Sequence, residues 1–151
     1  MSANRDNLKK EKAGVNVVEG EIKAATEQVP QVIGKPGNFT TRVAKLTPPL
    51  YFFKTTAWDS AVASGVLAHL DEEELNRFDN AYGSVKNYQD AQKLTIPEWF
   101  AARAYFASHH ILNAADEVAA EEKLRSFEAR IEVLQHLSSE FSDDLREAIP
   151  N

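Results

Sequence analysis

Apolar residues recur at three- and four-residue steps along most of this chain, which predicts helices rather than strands. From about Asp6 to Val29 the positions Leu8, Ala13, Val15, Val18, Ile22, Ala25 and Val29 mark one face of an amphipathic helix. Gly14 and Gly20 weaken it by about 1 kcal/mol each relative to alanine. Pro30 is expected to end or kink it, and the run Gly34-Lys35-Pro36-Gly37 to stop it. Residues 36–54, PGNFTTRVAKLTPPLYFFK, keep no period and contain three prolines. They read as a long connection whose aromatic end, Tyr51-Phe52-Phe53, packs back onto the body.

The next segment, TTAWDSAVASGVLAHL from Thr55 to Leu70, is rich in small residues. Thr55 or Thr56 caps a helix there, with Asp59 near its positive end. Ala61, Ala63, Ser64 and Gly65 predict close approach of a second helix, which makes this segment a tightly packed crosspiece. Asp71 restarts the chain as a helix, with Glu74 in the capping-box position and Leu75, Phe78, Tyr82, Val85 and Tyr88 on its apolar face to about Lys93. Thr95 and Glu98, with Pro97 between them, resemble a second helix start. Beyond it the period runs through Trp99, Phe106, Leu124, Phe127, Ile131 and Leu134. With room for a pause around Asn113 to Asp116 and again at Ser138-Ser139, neither marked by glycine or proline, that predicts one long helix over 96–137, or two nearly in line, with a short tail helix after Ser139.

These elements define an all-α, mainly antiparallel bundle of four to five helices, with one long irregular connection at about 36–54. The chain has 151 residues, suited to a single helical-bundle domain over 1–151. Trp58, Tyr82, Trp99, Phe106 and Phe127 are expected in the core. With no cysteine, disulfides, thiolate metal sites and cysteine nucleophiles are excluded. No run of about eighteen apolar residues is present, and the first thirty residues lack the apolar segment of a secretory signal. Any targeting segment is therefore expected outside this chain or not at all.

The formal net charge is −6, with the basic excess in the first half and the acidic excess in the second. That balance argues against nucleic acid as a partner, because phosphate binding needs a basic footprint. The four consecutive acids Asp71 to Glu74 lack the alternating ligands and turn glycine of a calcium loop, and read as helix capping.

Catalytic chemistry finds little support in the residues. A di-iron bundle needs Glu-x-x-His pairs, and the residues three before His69, His109, His110 and His136 are Val66, Phe106, Ala107 and Val133. Glu132, His136 and Glu140 share one helical stripe, an ordinary solvated arrangement. No P-loop, G-x-G-x-x-G, G-x-S-x-G or H-E-x-x-H motif occurs. No catalytic residue, metal ligand or cofactor is assigned. A ligand pocket between helices, if the bundle has one, is expected near Tyr82, Arg103, His109 and His110.

The segment TTAWDSAVASGVLAHLDEEELNRFDNAY, Thr55 to Tyr82, resembles a motif in a group of bacterial proteins of unknown function. It shares with them a Thr-Trp-acid start, small residues, an acidic restart and an Ala-Tyr step. Such proteins carry one N-terminal membrane helix, then a charged helix and a helical domain. Residues 4–23, NRDNLKKEKAGVNVVEGEIK, are similar in character to that charged helix. The resemblance implies the soluble part of a membrane-anchored protein of the cell envelope, reaching the membrane only through a segment absent from this chain.

The expected function is a non-enzymatic interaction or sensory module with a protein partner or self-association. The alternatives are a small-molecule- or metal-binding helical enzyme with a pocket between helices, and a structural subunit of a larger assembly that docks through the connection at 36–54.

Overall fold

The computed structural model describes residues 2–149 and is all-α, with no strand among those residues. Its elements are α1 (Ser2–Val32), α2 (Phe39–Val43), α3 (Thr56–Ser64), a 3-10 turn (Val66–His69), α4 (Glu72–Ser108) and α5 (Glu117–Ala148). The long helices α4 and α5 pack against each other, and α1 packs along α5.

Residue pairs across the interfaces fix the directions. Ser84 on α4 donates to Asp144 on α5, and near the opposite end Tyr105 Oη donates to the Asp116 carbonyl oxygen at 3.2 Å. Asn16 of α1 accepts from Gln135 of α5 at 2.9 Å, while Arg5 reaches the Ile149 carbonyl. Both α1 and α4 therefore run antiparallel to α5.

The buried positions of α5 are Ala120, Leu124, Phe127, Ile131, Leu134, Ser138, Phe141, Leu145 and Ala148, in strictly alternating steps of four and three. In α1 the same rhythm joins Asn4, Leu8, Glu11, Val15, Val18, Ile22, Ala25 and Val29. A seven-residue repeat of this kind keeps one seam facing its partner along the whole helix, as in coiled coils.

The fourth side of the bundle is not a long helix. After α2, whose Phe39 ring meets Phe106 edge-on at 6.1 Å, the chain runs as an extended strap down the groove between α1 and α4. Side chains of α4 satisfy its carbonyl oxygens in turn. Trp99 Nε1 donates to Leu46 at 2.7 Å, Gln92 Nε2 to Tyr51 at 3.1 Å and Gln89 Nε2 to Phe53 at 2.9 Å. At the foot of the strap the Asn4 amide both donates to and accepts from the Lys54 backbone, each at 3.0 Å. Pro48 and Pro49 suit this role, because an extended segment without a sheet partner has no neighbouring strand for an amide N–H. Phe53 alone of the aromatic triplet is buried, while Phe52 is 88% exposed.

Several expectations are corrected. Pro30 does not end α1, which continues to Val32 and stops before Gly34 at φ 70°. Thr95 does not start a helix: its hydroxyl donates to the Ala91 carbonyl at 2.9 Å, and α4 passes through Pro97 unbroken. The chain instead reverses at 109–116, where neither glycine nor proline occurs. Asn113 and Asp116 build that turn themselves. Asp116 Oδ2 accepts from the Asn113 N–H and Asn113 Oδ1 from the Ala115 N–H, both at 2.8 Å. No break follows at Ser138-Ser139, since both hydroxyls bond back to the Gln135 carbonyl inside α5.

The crosspiece expectation also fails. Neither α3 nor the 3-10 turn contains a buried residue, and a Cβ on Gly65 would meet nothing within 4 Å. Gly65 is required by its backbone, at φ 71°, where it closes α3. The glycine that permits close packing is Gly14, where a Cβ would lie 2.8 Å from both Cβ and Cγ of Pro49 in the strap. Nothing lies within 4 Å of a Cβ on Gly20. Denaturant unfolding of two alanine variants separates the cases. Gly20→Ala should gain about 0.5–1 kcal/mol from helix propensity, whereas Gly14→Ala should lose about 1–2 kcal/mol because the strap must shift.

Candidate functional site

The most unusual chemistry in the bundle belongs to a residue outside the sequence expectations, Glu11. It occupies a core position of α1 between Leu8 and Val15 and is fully buried. Its Oε1 accepts from Tyr88 Oη at 2.7 Å and from Gln92 Nε2 at 2.5 Å, both on α4. The same Gln92 amide holds the Tyr51 carbonyl, so one polar node ties α1, α4 and the strap together. The second carboxyl oxygen, Oε2, is buried without a hydrogen-bond partner.

Burial therefore dominates the titration of Glu11, raising its pKa from 4.5 to about 7 against the opposing pull of the hydrogen bonds from Tyr88, Gln92 and the Tyr51 backbone. Tyr88, buried beside it, is pushed well above the ordinary phenol range by desolvation first and the nearby carboxylate second. The node is sealed from solvent, so it cannot meet a substrate in this conformation. What it does in the fold is to join α1, α4 and the strap at one level of the bundle. The signal for it was present in the sequence: Glu11 is the one ionisable member of a four-three repeat whose other positions are apolar except Asn4.

A second feature lies at the foot of the bundle. A cavity of about 290 Å³ opens between α3 and α4, with Trp58, Phe78, Ala81 and Val85 among its walls and Lys54 at its rim. Trp58 leans over Phe78 and Tyr82 with ring centroids 6.2 and 5.7 Å away. Tyr82 Oη donates to Asp59 Oδ1 at 2.5 Å, and the Thr55 hydroxyl donates to Asp59 Oδ2 at 2.9 Å. The Tyr82 bond holds the Asp59 carboxyl below its usual range, and the same bond raises the Tyr82 phenol. Trp58 and Tyr82, expected in the core, are thus half-buried walls of a surface cavity.

The four residues expected around one pocket are not brought together. Tyr82 and Arg103 lie 21 positions apart on the continuous helix α4, a separation of roughly 30 Å at about 1.5 Å per residue. Arg103 is exposed, with its guanidinium 5.9 Å from the Trp99 ring centre. His109 caps the far end of α4, where its Nδ1 meets the Tyr105 carbonyl at 2.7 Å and its Nε2 lies 3.6 Å from Asp116. His110 is exposed beside it. His136 and Glu140 form an exposed pair at 3.2 Å, and no group of three or more potential metal ligands gathers among the described residues.

Compared with models of protein families, with curated proteins and with solved structures, the chain matches none.

The Glu11 node sets a pH dependence whose sign follows from the raised pKa. The folded protein holds the Glu11 proton more tightly than the unfolded chain does. The contribution of this group to stability is therefore greatest below about 4.5 and is lost as pH rises through about 7. Glu11→Gln keeps an acceptor for Tyr88 and Gln92 but cannot ionise. Between pH 5 and pH 8 the wild type should lose about 2.5 kcal/mol relative to this variant, measured by urea unfolding at each pH.

Proposed function

We propose that this protein is a non-enzymatic interaction module whose working surface is the arm formed by α3 and the 3-10 turn. The observation that carries the reading is the exposure of this arm. From Thr56 to His69 no residue is buried, and Val62 and Val66 are 55% and 51% exposed. Val62 and Val66 lie on a segment that adds no buried residue to the core, which supports a use for them outside the fold. The bundle, held by apolar seams and the Glu11 node, serves as the rigid support.

The likeness of Thr55–Tyr82 to the bacterial group falls on this same arm and its junction with α4. The proposal therefore extends to the soluble part of a membrane-anchored envelope protein that meets a protein partner or a second copy. The connection at 36–54 gives less support to a role as docking arm, since its carbonyl groups are held within its own bundle by Trp99, Gln92 and Gln89.

A photo-crosslinking amino acid placed at Val62, with one at exposed Glu122 on α5 as the control, tests the reading in native cells. The expected result is a discrete adduct from position 62 alone, lost when Val66→Asp is added while thermal stability changes by less than about 0.5 kcal/mol. Equal, diffuse labelling from both positions would remove the arm as the working surface.

A further inference from the structure

The cavity beneath α3 has properties that the arm's exposure does not explain. Its walls come from separate parts of the chain, including Ala57 and Trp58 of α3, Phe78 and Val85 of α4, and Leu145 of α5. The volume of about 290 Å³ sits at the lower end of the ~300–1,000 Å³ typical of small-molecule sites, which is too little for a helix of a partner.

The polar groups around it are unevenly committed. The Asn4 amide is spent on the Lys54 backbone, and both Asp59 oxygens are spent on Tyr82 and Thr55. Lys54 is the one charged side chain among the described residues lining the cavity, and its ammonium has no partner among them. An apolar interior with one exposed lysine among its lining residues is complementary to an amphiphile with one negative head.

We propose that this cavity binds a small anionic amphiphile of the medium-chain carboxylate class, with its apolar body against Trp58 and Phe78 and its head at Lys54. The wall formed by α3 is built to open. It has no buried residue, it is tied to α4 by the Tyr82–Asp59 bond and the Trp58 ring contacts, and it leads through Gly65 at φ 71° into the 3-10 turn. Segments with so little buried surface open at low cost. An occupant would then close α3 onto α4 and set the position of the exposed Val62 and Val66. The inference goes beyond the interaction role and does not require it, because occupancy is read without any partner.

Decanoate below its micellar concentration serves as the probe, with decyltrimethylammonium and decanol as charge controls. The two tryptophan indole N–H signals in the proton–nitrogen NMR spectrum provide the readout, assigned with Trp58→Phe. Saturable movement of the Trp58 signal, with that of Trp99 unmoved, is expected for decanoate, at least tenfold tighter than for either control. Lys54→Gln should weaken decanoate at least tenfold while leaving decanol unchanged. Ala81→Leu, which fills the cavity, should abolish binding; Ala57→Leu on the exposed side of the wall does the same without touching the core. Absence of saturable movement with decanoate, equal binding of the cationic probe, or binding unaffected by both filling variants would overturn the proposal.

Discussion

The strap from Leu46 to Lys54 is the constraint on which the rest of the bundle depends. Helices α1 and α4 each lie along α5, but they meet one another chiefly through this extended segment. A groove between two helices leaves apolar seams exposed unless something fills it, and here the filler has no internal hydrogen bonds of its own. Its carbonyl groups are therefore satisfied from outside, by Trp99, Gln92 and Gln89, and its foot is clamped by Asn4. The close approach at Gly14 and the buried carboxyl of Glu11 both follow from fitting a backbone into that space.

Much of this was legible in the amino-acid sequence, and the misses have physical causes. The helical period located α1, α4 and α5, and the Asp71 cap formed as read, with its carboxylate accepting from the Glu74 N–H at 2.8 Å. Pro97 and Thr95 misled because both residues are tolerated inside a long helix when neighbouring packing holds it. The pause expected at Asn113 to Asp116 is a full reversal, and its depth was hidden because asparagine and aspartate make the turn with side-chain hydrogen bonds, without glycine or proline. Small residues at 61–65 suggested close packing, yet the space around Gly65 is open. Composition cannot distinguish a backbone demand at positive φ from a packing demand, and the two predict opposite burial.

The pocket expectation failed by the same route. Tyr82 lies in the first half of α4, whereas Arg103 and the C-cap His109 lie at its end, so the length of one continuous helix separates them. Trp58 and Tyr82, both expected in the core, lie half-buried outside it instead. They pair across the α3–α4 junction, where the strap ends at Lys54 and the chain must travel outside the core to reach the start of α4. The exposed arm and the cavity beneath it are both consequences of that detour.

Hydrogen–deuterium exchange resolved along the chain tests the central claim, that the strap at 46–54 is tied into the bundle while 56–70 buries no residue. The account predicts slow exchange for the two strap amides that find acceptors in α1, Tyr51 at the Glu11 carboxyl and Lys54 at Asn4 Oδ1, and fast exchange across α3 and the 3-10 turn. Rapid exchange in the strap, with α1 and α4 still protected, would mean that the groove closes without it, and would contradict the account.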